Sequence, residues 1–121
     1  MGARANRHRG EIEAILDGER RILCLTLGAL AELETAFAAD NLAALAGRFA
    51  SGQLRALDII HIIGAGLRGG GNIITDDEVA GMVAEGGLSG FAWTVSALLT
   101  ATFGEATDGG GENPPEPQPG A

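Results

Sequence analysis

The dipeptide Asp17-Gly18, set between two runs of alternating apolar and polar residues, constrains the fold more than any other feature of the chain. In "GEIEAILDGERRILCLT", Ile12, Ala14 and Leu16 fall on one face and Glu11 and Glu13 on the other. Leu23 and Leu25 resume the apolar face after the turn. Asp and Gly tolerate the positive φ angles of a type I′ turn, and a period of two is that of a half-buried strand. An N-terminal β-hairpin follows.

After Thr26, a plausible N-cap, the apolar period becomes helical. Leu27, Leu30, Leu33 or Glu34, and Phe37 follow its three- and four-residue spacing, with Glu32 and Glu34 toward solvent. Asp40 is placed to cap a second helix, "NLAALAGRFA", with Leu42, Leu45 and Phe49 as its stripe. Short helices bury too little alone, so both must pack on the hairpin and on later helices. From Gln53 onward Ala56, Ile59, Ile60, Ile63 and Leu67 share one helical face, while Arg55, Asp58, His61 and Arg68 share the other. Arg68 complements the helix dipole in the last turn and Gly69-Gly70-Gly71 supplies the stop.

Thr75-Asp76-Asp77-Glu78 has the form of a capping box for a fourth helix, in which Val79, Met82 and Val83 give a short apolar face. A fifth helix is predicted from about Leu88 to Phe103, with Leu88, Phe91 or Ala92, Val95, Leu98 or Leu99, and Phe103 inward. The fold class is therefore α+β: one hairpin packed on about five short helices. Residues 10–104 form a single domain, flanked by a flexible basic arm, 1–9, and an acidic Gly/Pro-rich tail, 105–121, that lacks large apolar residues and is expected to be disordered.

A chain of 121 residues has room for one core, and its net charge of −8 repels nucleic-acid backbones and anionic lipid surfaces. The longest strongly apolar stretch, "IIHIIGAGL", is interrupted by His61 and falls far short of a membrane span. No signal-peptide pattern follows the basic start, so synthesis and residence in the cytoplasm are expected, as is a soluble chain. One cysteine, Cys24, allows no internal disulfide.

Gly64-Ala65-Gly66-Leu67-Arg68-Gly69 is a formal match to the dinucleotide-binding G-x-G-x-x-G. In that motif the glycines open a helix after a strand; here the period places them at the end of one. Gly64 and Gly66 are better read as letting another backbone approach closely. His8, His61 and Cys24 lie in three different elements, which excludes a structural zinc site for practical purposes. The consecutive Asp76, Asp77 and Glu78 point in different directions and suit capping and dipole compensation. "GLSGF" around Ser89 is not a nucleophile elbow, and Cys24 reads as a packing group, although a Cys24–His61 approach is compatible with the sequence. No catalytic, cofactor or metal residue is assigned, and no enzyme is expected. Arg4, Arg7, His8 and Arg9 read as a solvated tail. Trp93 falls off the inward stripe of the fifth helix and is a candidate interface anchor. With Arg55, Asp58 and His61 on the polar face of the third helix, and with the sheet edge, it completes the candidate partner-binding set.

The stretches "ANRHRGEIEAILDG" and "ILCLTLGALAELETAF", continued by "RFASGQL", "IIGAGLRGGG", "DDEVAGMV", "EGGL" and "LLTATFG", resemble the small tail protein of the gene transfer agent cluster of alphaproteobacteria. That cluster derives from a tailed phage. The resemblance covers residues 5 to 104, and its most specific part is "LTLGALAELE". The family is described both as a tail tube protein and as a tail assembly chaperone, and not as an enzyme. It implies other tail proteins as partners: tube subunits and, for a chaperone, the tape-measure protein, a long apolar helix-former. A tube subunit generally needs a substantial sheet to close a ring, whereas this chain offers one hairpin, which favours the chaperone. The alternatives are a structural tube or tail completion subunit, pairing with further copies through its hairpin edge, and, more remotely, a nucleotide binder or enzyme using Cys24, His61 or the glycine loop.

Overall fold

Strands β1 (Glu11–Leu16) and β2 (Glu19–Cys24) pair antiparallel, with Ile12 opposite Leu23 and Leu16 opposite Glu19. Asp17 at φ 54° and Gly18 at φ 78° close the type I′ connection. The computed structural model describes residues 10–51 and 54–104. The expected basic arm and acidic tail lie outside the described residues. Five helices follow the hairpin: α1 (Leu27–Ala36), α2 (Leu42–Ala50), α3 (Ala56–Gly69), α4 (Asp76–Ala80) and α5 (Leu88–Phe103). The α+β architecture is as the residue pattern predicts.

The core forms where the inward face of the hairpin, Ile12, Ala14, Leu16 and Leu23, meets Leu30 and Leu33 of α1, Val95 and Leu98 of α5, and the second half of α3. Helix α3 sits at the centre, packed on β2, α1, α4 and α5 at once. Residues 62–67 are consequently buried on every side, not along one stripe. This corrects the expected two-faced helix. The face carrying Arg55, Asp58, His61 and Arg68 is partly covered by other elements, and Asp58 is only 4% exposed.

Thr26 caps α1 by accepting the Ala29 N–H at 3.1 Å, as predicted. The cap of α2 is Asn41, one residue later than the predicted Asp40, and its side chain accepts from Ala44 at 2.8 Å. At Thr75 the capping box forms reciprocally with Glu78. Leu27 and Leu88, expected inward, are 77% and 75% exposed. Each is the first residue of its helix and lies to the side of the face that enters the core, which is set by Ala29, Leu30 and Leu33 in α1 and by Thr94, Val95 and Leu98 in α5. Leu42 is likewise exposed, and Val83 is exposed because α4 stops at Ala80, so the helical period does not reach it.

Both long edges of the hairpin meet other parts of the chain. On β1, Glu85 N–H donates to Ile15 O at 3.1 Å and Asp17 N–H to Val83 O at 2.7 Å, making a one-residue bridge between Leu16 and Ala84. On β2, the Asn72 amide donates to Ile22 O at 2.9 Å and to Leu67 O at 3.0 Å, while its carbonyl accepts from Arg21 Nη1 at 3.1 Å. One side chain thus ties the end of α3 to the strand beside it.

Candidate functional site

The glycines of "GAGLRGG" are explained by what touches them. A Cβ at Gly69 or Gly70 would collide with the carbonyl oxygen of Cys24 or of Ile22, so α3 ends directly against the β2 backbone. A Cβ at Gly66 would lie 2.6 Å from Leu98 Cδ2 and 3.4 Å from Leu23 Cβ. At Gly64 it would strike the Asp76 carboxylate. The close approach of another backbone, expected at Gly64 and Gly66, therefore occurs one turn later, at Gly69 and Gly70. Side chains fill the space at the two earlier positions. The motif lies within and at the end of a helix, as its period predicts, and its small residues serve packing.

Above Gly64 a polar cluster joins three helices. Asp76 Oδ2 lies 3.0 Å from His61 Nδ1, Asp76 Oδ1 lies 3.0 Å from Arg68 Nη1, and Arg68 Nη2 donates to Glu32 at 2.6 Å. Arg68 Nη1 also donates to Ile74 O at 3.1 Å. The bond to Glu32, followed by the field of Asp76, holds the Arg68 guanidinium above its ordinary pKa, against the opposing effect of burial. The carboxylate beside His61 is thus Asp76, from α4, and not Asp58, which shares its helical face in the sequence. Asp58 instead turns back to accept the Arg55 N–H at 2.9 Å, capping α3. Asp76, Asp77 and Glu78 lie in the first turn of α4, where capping and dipole compensation place them, and the absence of a side chain at Gly64 lets Asp76 reach across to α3 as well. That pairing carries no periodic signal in sequence. Among the described residues no group of three or more His, Cys, Asp or Glu is arranged to hold a metal ion.

The candidate partner residues do not converge. Trp93 is 55% exposed, as its off-stripe position predicts, and walls an opening of about 400 Å³ shared with Glu13, Ile15 and Arg20 of the hairpin and with Glu85. The Arg55 side chain stands at the start of α3, three-quarters exposed. His61 is engaged with Asp76 and edge-on to Phe37, ring centroids 6.1 Å apart. Asp58 is withdrawn from the surface. On the other side of α5 lies a second opening, of about 160 Å³, lined by Ile59, Ile60 and Ile63 of α3, Val79 of α4, and Leu88 and Phe91 of α5. Sequence reasoning missed it. The signal was present in Leu88, expected inward but bordering a groove, which Met82 also lines while packing against the core.

No helix among the described residues is long and apolar enough to cross a membrane. No curated protein and no solved structure matches the chain. A family model described as "Phage tail tube protein, GTA-gp10" matches residues 9–105, and so spans the hairpin, all five helices and the polar cluster. With the match running across the whole described fold, the chain belongs to this family of gene transfer agent and phage tail proteins.

Proposed function

We propose that the chain acts by binding, without catalysis, as a tail assembly chaperone that covers an apolar helical segment of another tail protein, the tape-measure protein being the client that the family implies. The observation supporting this reading is the state of the hairpin. A tube subunit closes a ring by extending sheets between copies, and such extension needs open strand edges. Here the sheet has two strands, and its edges are engaged at Ile15 and Asp17 by residues 83–85 and at Ile22 by Asn72. Large apolar side chains stand in water on the helices, at Leu27, Leu57, Leu88 and Trp93, and on the connections between them, at Ile73 and Val83, and such side chains are what another apolar helix would cover.

The second reading, a structural tail tube subunit, is favoured by the description of the family itself. Quantitative mass spectrometry of purified particles against unfractionated lysate separates the two. Abundance in lysate with absence from particles is the expected result. Many copies per particle would sink the chaperone and leave the tube subunit.

A further inference from the structure

We propose that the groove between α3, α4 and α5 is a docking site for an amphipathic helix of a partner protein, one that inserts a single Leu, Met or Phe side chain and carries Arg or Lys beside it. This rests on the reading of the chain as a binder of other tail proteins and names the surface used.

The size of the groove sets the anchor. Its volume of about 160 Å³ is close to that of an apolar protein cavity, roughly 150 Å³, that takes up benzene. It therefore accommodates one large apolar side chain, and its walls, Ile59, Ile60, Ile63, Val79 and Phe91, offer that side chain no polar partner. Leu88 stands on its border with three-quarters of its surface in water. Covering Leu88 and filling the pocket in one step removes apolar area from water on both partners, and a buried central anchor of this kind carries most of the energy of a helix-in-groove contact.

Charge selects the occupant. Asp77 is three residues before Ala80, a lining residue, and so shares its side of α4. Asp77 is exposed, whereas the carboxylate of its neighbour Glu78 is held in the cap by Thr75. Arg55, beside the lining Ala56, carries the opposite charge and is paired with Asp58 at 3.6 Å. The chain as a whole carries −8, which disfavours a second copy and favours a basic partner helix.

The test compares two matched variants. Leu88→Glu and Leu27→Glu each place a carboxylate at the first position of a helix, where the helix dipole favours it, and each replaces a side chain about equally exposed. Only Leu88 borders the groove. The probe is a synthetic amphipathic peptide of about 20 residues, with Leu at helical spacing and Lys on its flanks, titrated into the full chain by calorimetry beside the same peptide with Glu flanks. The expected result is binding of the Lys-flanked peptide at least about tenfold tighter than that of the Glu-flanked one. That affinity should fall about tenfold or more in Leu88→Glu and stay within about twofold in Leu27→Glu. No binding, indifference to the flanking charge, or equal losses in the two variants overturns the proposal. Sedimentation showing a dimer abolished by Leu88→Glu also overturns it and assigns the groove to a second copy. Because the titration needs no particles, it fails independently of the particle census that tests the chaperone reading.

Discussion

The two ends of the central region of this protein are built on opposite terms. At the C-terminal end of α3 the chain tolerates no additional atom: Gly69 and Gly70 lie against the carbonyls of Cys24 and Ile22, Gly66 holds Leu98 and Leu23, and Asn72 ties the turn to the strand. Between the C-terminal end of α4 and the N-terminal end of α5, side chains have room to spare, with Val83 and Leu88 in water and an open groove beside them. The contrast separates the residues that hold the fold from those free to meet a partner. Apolar character alone does not tell them apart, since Leu98 and Leu88 are ten positions apart in one helix and differ from fully buried to mostly exposed.

The largest effect that would break this contrast is at Gly70. Its backbone, φ −84° and ψ 3°, suits alanine, so the cost of Gly70→Ala is purely the collision with Ile22 O. A loss of about 3 kcal/mol or more is expected in urea unfolding, a large fraction of the stability of a domain this size. A loss under about 1 kcal/mol would mean that α3 and β2 separate easily. Asn72→Ala should cost about 1–3 kcal/mol, because it leaves the acceptor on Ile22 and a donor of Arg21 without this partner. Amide exchange should quicken along β2 in that variant.

Gly47→Ala sharpens the comparison by inverting its sign. Gly47 is an exposed helix-interior residue of α2, and a Cβ there meets nothing within 4 Å. Stability should rise by about 0.5–1 kcal/mol, seen as a higher Tm. Destabilisation would show that α2 owes its position to something other than its helix. Smallest of all is the effect of Trp93→Ala on folding, expected within about 0.5 kcal/mol, since over half of the side chain is in water. Affinity for the client should nevertheless weaken in this variant. An unchanged affinity would remove Trp93 from the binding surface and leave the groove across α5 to act alone.

Local physics made much of this legible in advance. The Asp17-Gly18 turn, the Thr26 cap, the Thr75–Glu78 box and the bounds of α5 depend on residues within a few positions of one another, and each formed as predicted. The exposure of Trp93 followed from its place off the stripe. Periodicity also decided that the glycine motif closes a helix. What it misjudged were helix ends: Leu27 and Leu88 keep the period of their helices and still lie off the face that meets the core.

The sequence by itself determined the elements, their caps and turns, and the apolar faces that oblige them to pack, because those depend on backbone propensity and on spacing along one chain. Only the tertiary structure decided that α3 is enclosed, that Asp58 is buried as a cap, that Asp76 reaches His61 and Arg68 over Gly64, and that a groove opens beside Leu88. These depend on which surfaces meet across distances in sequence that no period encodes, where excluded volume and the pairing of buried charge, not local preference, select the arrangement.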